Sequence, residues 1–294
     1  PRRGNPELLE KYGAVSPGPP HSINKKSPKL PVNYLPGHPF EEGHPDLRDE
    51  NSVEGVLTRR DEATVRNERG KELATIEAID TQIGRVLKKL EKTGELDNTY
   101  ILFLSDHGIA VGKHGLMGKQ NLYEHSLKIP LIVKGPNIKK NKKAKGNIYL
   151  SDVLPTLCDL VGIDIPEGMF GKSFISVISE KAETIRNIIY GVYSGGTKPG
   201  IRSLKKDDWK IIKYDVMDGQ VRKTQLFNLK ENPNELLIEH HDPKVIELTG
   251  NIPKKHQVNL ADNPKFATKR KEMEELLLVE MKANKDPFRF CDQE

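Results

Sequence analysis

Tyr100-Ile101-Leu102-Phe103-Leu104-Ser105-Asp106-His107-Gly108 sets five apolar or aromatic residues in one unbroken run and ends on an acid, an imidazole and a glycine. A run this short and continuous reads as a β-strand buried on both faces of a parallel sheet. An Asp at the carboxyl end of such a strand stands where open α/β sheets bind their ligands. Carboxylate and imidazole side by side in that turn can both point into a metal site, and the glycines beyond let backbone approach a ligand closely. Taken alone, the triplet is equally what a capping Asp beside a hydrogen-bonded His would look like. Both readings stay open on these residues.

Working outward, Leu73, Ile76, Ile79, Ile83, Leu87 and Leu90 step by three and four, which predicts a helix from about Asp61 to Lys92 with Gly94 as its stop. Ile129-Pro130-Leu131-Ile132-Val133 reads as a second buried strand, closed by Gly135-Pro136. Ser151 to Val161 reads as a helix with Ser151 or Asp152 as N-cap and Gly162 beyond its end. This alternation predicts an α/β sheet flanked by helices. Residues 1–60 are rich in Pro, Gly and His, and read as an irregular extended segment wrapped over a larger body. From about Ile188 the texture changes. Strands at Ile201–Leu204, Trp209–Tyr214 and Thr224–Leu229, joined by charged turns, predict a small antiparallel sheet backed by an amphipathic helix from Thr268 to Lys282. The expected division is 1–187 and 188–294.

The 294 residues carry 47 basic and 42 acidic side chains, a net charge of +5, too mild to argue for nucleic acid. No run of about 18 apolar residues exists, so no membrane span is predicted. Lys139 to Lys145 reads as a solvated loop, with an anion-steering patch as the sharper alternative. Cys158 is expected as a buried thiol and Cys291 in the tail; two cysteines set no disulfide framework. The chain opens Pro1-Arg2-Arg3-Gly4 without Met or an apolar leader, so it reads as starting mid-protein, and its compartment is not legible.

The rest of the site string narrows the choice. Asp106-His107-Gly108 is followed by Gly112-Lys113-His114-Gly115, by Lys119 thirteen residues after the Asp, and by Leu122-Tyr123-Glu124-His125-Ser126-Leu127-Lys128-Ile129-Pro130. This resembles the second metal-binding segment of the type I, formylglycine-dependent sulfatases of the alkaline phosphatase superfamily, most of all their iduronate-2-sulfatase-like branch. Asn33 to Phe40 with Arg48-Asp49-Glu50, Ile79 to Arg85, Ser151 to Leu157 and Gln225 to Leu229 fit the same family in the same order.

The resemblance implies an incomplete alkaline-phosphatase-like mixed sheet flanked by helices, with a small C-terminal antiparallel α+β subdomain. It implies hydrolysis of a sulfate ester, of a sulfated small molecule or glycan, in a periplasmic, secreted or lysosomal protein. Asp106 and His107 would be metal ligands, usually to calcium, although His107 suits zinc better because calcium prefers oxygen. Lys119 would contact the sulfate or ester oxygen. His114 would orient substrate, or else bridge loops. His38 and His44 are expected to take no part in catalysis. The family's nucleophile, formylglycine made from a Cys/Ser-x-Pro-x-Arg motif, has no counterpart in the 294 residues. The resemblance therefore places the nucleophile and general acid in a missing N-terminal part of the same protein. Two rivals remain: a two-zinc phosphodiesterase or phosphatase of the same superfamily, and a non-catalytic binder of sulfated glycans.

Overall fold

The computed structural model describes residues 5–16, 20, 22–40, 59–194 and 200–290. Pro1-Arg2, His44, Arg48-Asp49-Glu50 and Cys291 lie outside them. The N-terminal segment is not wholly irregular, as expected from its prolines. Asn5 accepts from the backbone N–H groups of Glu7 and Leu8, and Pro6 takes the first helical position, so Pro6–Lys11 forms a short helix, α1. It packs on the long helix α2, Glu62–Lys92, through Leu9, Ala14 and Ala74. Beyond α1, the extended stretch 22–40 buries Leu30 and Tyr34 against Val65, Val111 and Met117.

Helix α2 begins where the pattern puts it, with the Asp61 carboxylate accepting from the Thr64 N–H. Its apolar stripe is a correction. The buried residues, Thr64 to Ala74, belong to the first half, whereas Ile76 and Ile79 are exposed. The reason is local: α1, residues 22–30 and the loop around Val111 cover only the first turns.

The two apolar strands exist as β1, Ile101–Leu104, and β2, Leu131–Lys134, but they pair antiparallel with each other, Leu102 opposite Val133. Burial on both faces is not found among the described residues. Phe103 is 43% and Ile132 61% exposed, because a two-stranded sheet without a covering layer leaves a face to solvent. Between them lies one helical turn, α3, Glu124–Leu127. Helix α4, Val153–Val161, ends on Gly162 in the left-handed conformation, as predicted. Asp152 does not cap it with its side chain; the carboxylate accepts from the backbone of Tyr149 and Lys172 and pairs with Arg186. A short helix α5 follows at Ile175–Ile178. Cys158 is buried.

The C-terminal sheet has four antiparallel strands rather than three. The strands β3 Ile188–Tyr193, β4 Gly200–Lys206, β5 Trp209–Val216 and β6 Val221–Asn228 lie in that order. Helices α6, Pro243–Thr249, and α7, Ala267–Ala283, complete the chain. The period-two alternation of β5 decides what covers each face. Ile211 joins Leu204 and Leu226 beneath Met273, Leu277 and Met281 of α7. Ile212, Tyr214 and Val216 point the other way, onto Ala110, Leu116, Leu122 and Tyr123. The loop after β1 therefore rests on the C-terminal sheet.

Candidate functional site

β1 ends at Leu104, and the next residues turn sharply beneath α3. The Gly108 N–H donates to the Ser126 carbonyl at 2.9 Å, and a Cβ on Gly108 would collide with the His125 carbonyl oxygen. Glycine is required there by close approach. The turn throws Asp106 outward, 74% exposed, with its Oδ1 accepting from the His107 N–H at 2.9 Å. That backbone hydrogen bond holds the carboxyl below the usual carboxylate range.

His107 Nδ1 lies 2.8 Å from the Gly108 carbonyl, which can only accept, so Nδ1 carries the proton and Nε2 presents its lone pair. Nε2 is 3.3 Å from Asp106 Oδ2 and 2.8 Å from Lys119 Nζ. Lys119 arrives from the far end of a loop that doubles back, Ala110 N–H to Gly118 carbonyl at 2.8 Å and Gly112 N–H to Leu116 carbonyl at 2.7 Å. Within it Val111, His114 and Gly115 take positive φ of 44°, 53° and 74°. A β-branched residue there is strained and is held by the packing around it. From Ala110 to Tyr123 only Lys119 is exposed.

Three of the four expected site residues thus meet at the carboxyl end of β1: Asp106, His107 and Lys119. His114 does not join them. It is fully buried, stacked on Tyr123 with ring centroids 4.0 Å apart, edge-on to His240 at 5.3 Å, and its Nε2 is 3.2 Å from Asn33 Nδ2. Burial, helped by the neighbouring imidazoles, drives it well below the ordinary histidine range, so it is a neutral ring in the core. His38 is buried in the same region, its Nε2 3.2 Å from the Tyr123 hydroxyl.

A divalent cation can be tested against this donor set. Asp106 Oδ2 and His107 Nε2, 3.3 Å apart, sit close enough to share one ion, which would take the place the Lys119 ammonium now holds 2.8 Å from the Nε2 lone pair. They fit as two donors of a site. Among the described residues no group of three or more His, Cys, Asp or Glu side chains could hold an ion.

The chain matches the sulfatase family over residues 15–163, half of its length, and the C-terminal family of N-sulphoglucosamine sulphohydrolase over residues 112–262. It belongs to the sulfatase family. The arylsulfatase of Clostridium perfringens is 34% identical over 193 residues, 64% of this chain and 38% of that protein. The N-acetylglucosamine-6-O-sulfatase of Bacteroides thetaiotaomicron is 28% identical over 222 residues, 73% of this chain and 36% of that protein. A solved structure in complex with its substrate D-glucosamine-2-N,6-O-disulfate superposes with a TM-score of 0.63 at 25% identity, covering 83% of this chain and 45% of that one. The mixed α/β fold of this chain is the alkaline-phosphatase-like one of its neighbours. The chain spans little more than a third of the length of the curated relatives it matches.

Sequence reasoning missed the groups behind the candidate site. Tyr123, Glu124 and His125 stood inside the quoted motif but were not read chemically. Lys210, Glu235 and His240 carried no signal, because charged residues so far along the chain look like surface. In the structure Lys210 and Glu235 are buried together against Glu124.

Proposed function

We propose that the protein is a sulfuric ester hydrolase acting on a sulfated carbohydrate, and that Asp106, His107 and Lys119 form one side of its active site. The observation that carries this reading is their convergence: a carboxylate and an ammonium within 3.3 Å of one imidazole nitrogen, at the carboxyl end of a strand. Asp106 and His107 would hold a divalent cation, calcium, which when bound would supply positive charge opposite the sulfate oxygens. Lys119 would place its ammonium on the sulfate or ester oxygen, where negative charge grows as the S–O bond breaks. His114 would act only from beneath, by holding the loop that delivers Lys119. The sugar class is supported by the relative that is an N-acetylglucosamine-6-O-sulfatase and by the neighbour bound to a disulfated glucosamine. Within the family, the whole string from Asp106 to Val133 supports the iduronate-2-sulfatase-like branch.

The nucleophile, a formylglycine, and the general acid would come from sequence preceding residue 1. Two observations support this: the short span relative to the curated relatives, and the apolar residues left exposed on β1, β2 and α2. A periplasmic, secreted or lysosomal setting goes with the same reading. Among the described residues no helix is long and apolar enough to cross a membrane. The test is to express the chain with its native upstream sequence and assay N-acetylglucosamine-6-sulfate and an aryl sulfate. Sulfate release from either is expected; hydrolysis of neither, with metal present, overturns the reading. Two zinc ions per chain would move the protein to the phosphodiesterase branch of the superfamily.

A further inference from the structure

Behind the site lies a buried ring of charge that the reading above does not use. Glu124 opens α3, five residues after Lys119. Its carboxylate is bridged by Lys205 Nζ of β4 and Lys210 Nζ of β5, each at 3.0 Å. Lys210 is 1% exposed and also meets Glu235 Oε1 at 2.7 Å. Glu235 Oε2 closes the ring by accepting the Glu124 backbone N–H at 2.7 Å. Two carboxylates and two ammoniums balance. Burial alone would raise the Glu124 carboxyl, but Lys210 and Lys205 outweigh it and bring it to about 2, so Glu124 stays ionised.

Burying ions in this way adds little net stability over apolar packing, so their geometry needs another account. α3 is a single turn of four residues with no side-chain cap, and a turn that short does not hold itself. The ring ties its first residue to the C-terminal sheet, beside the packing of Tyr123 and Leu127 on the same sheet. α3 in turn seats the site, since Gly108 donates to Ser126 and lies in contact with the His125 backbone. A continuous path therefore runs from Lys210 through Glu124, α3 and Gly108 to His107.

We propose that Glu124 is a positioning residue for the Asp106–His107–Lys119 cluster, acting through its buried ring with Lys210 and Glu235. The proposal rests on the reading of that cluster given above. It is tested in the protein with its upstream sequence by Glu124→Gln, which keeps the shape and removes the charge. Lys205→Met serves as a milder variant should Glu124→Gln not fold. Arg202→Met is the control: Arg202 of β4 is as buried as Lys210, and its ion pair is made with Asp286, beyond α7, rather than with Glu124.

Hydrogen exchange at the Gly108 amide reads the path without any assay of activity. Glu124→Gln is expected to speed it by about tenfold or more while the Ile211 amide is unmoved, and to lower kcat on an aryl sulfate by about tenfold with KM within about twofold. Lys205→Met should do the same more weakly, and Arg202→Met neither. Unchanged Gly108 exchange in Glu124→Gln and Lys205→Met overturns the proposal, as does faster exchange with kcat intact. Faster exchange in a protein whose wild type releases no sulfate upholds the path from Glu124 to Gly108 and overturns the sulfatase reading instead.

Discussion

Lys119 is the one exposed side chain on a stretch that is otherwise buried or half-buried from Ala110 to Tyr123, and its ammonium touches His107 rather than a surface carboxylate. A lysine placed only for solubility has no need of such a loop. Lys119→Ala in the protein with its upstream sequence is expected to lower kcat by about a hundred- to a thousand-fold, with a smaller effect on KM, because the contact strengthens as charge develops. Lys119→Arg should recover little, since a planar fork does not replace a compact point charge. Lys113 is no neutral control: it is half-buried, its Nζ is 3.4 Å from the Ile109 carbonyl, and burial lowers its ammonium. Lys143, exposed in the loop after β2, serves instead, and Lys143→Ala should leave steady-state kinetics unchanged. Equal kinetics for the two alanine variants would remove Lys119 from the site. Gly108→Ala tests the turn beneath. Its methyl meets the His125 carbonyl, so a loss of about 1–3 kcal/mol in denaturant unfolding is expected.

At the scale of elements, legibility followed burial. β5 and α7 were read within a residue or two because both faces of β5 and one face of α7 are covered, so apolar spacing and structure report the same constraint. β3 was missed. It is a partly exposed edge strand interrupted by Gly191, and nothing in its composition alternates. The second half of α2 misled in the opposite sense, carrying the core stripe without the covering layer. The site divides the same way. The nearness of Asp106, His107 and Lys119 in the candidate site could be read because one strand and one loop hold all three, whereas Lys210 meets Glu124 from 86 residues away and Glu235 from 111. No local pattern marks a charge that folding will bury. The packing of α7 gives a direct check on the covered face. Leu277 is fully buried against Leu204, Ile211 and Leu226, so Leu277→Ala should cost about 2–5 kcal/mol by chemical denaturation. A loss below about 1 kcal/mol would show that α7 does not cover the sheet in solution.

In the whole molecule, three imidazoles from three parts of the chain are packed where the site loop meets the C-terminal sheet. His114 faces His240, His125, His38 and Lys210; His125 faces Lys113 and Lys210; His240 faces Asn33, Leu237 and His241. Burial pushes all three below the ordinary 6.5, His240 to about 4, and among the described residues both nitrogens of His125 lack a hydrogen-bond partner. The sign follows from proton counting. Between each depressed value and 6.5 the unfolded chain holds more protons than the folded one, so stability rises with pH and is lost as pH falls from 6.5 toward about 4. Each such group contributes a slope of up to about 1.4 kcal/mol per pH unit. Glu235 opposes this, because burial raises its carboxyl and its share is lost as pH rises through the acid range, but one raised acid faces three depressed bases. Glu124 loses its stabilising share only below its ordinary 4.5, toward about 2. Thermal unfolding at pH 7.5 and pH 5 is therefore expected to show a lower Tm at pH 5. His240→Asn should flatten the difference, because Asn retains an acceptor for the Leu237 N–H that now bonds to Nδ1 at 2.8 Å and removes one titrating ring. If wild type and variant unfold alike at both pH values, the imidazoles take up their protons in place, and the contact between site loop and sheet is looser than the packed rings show.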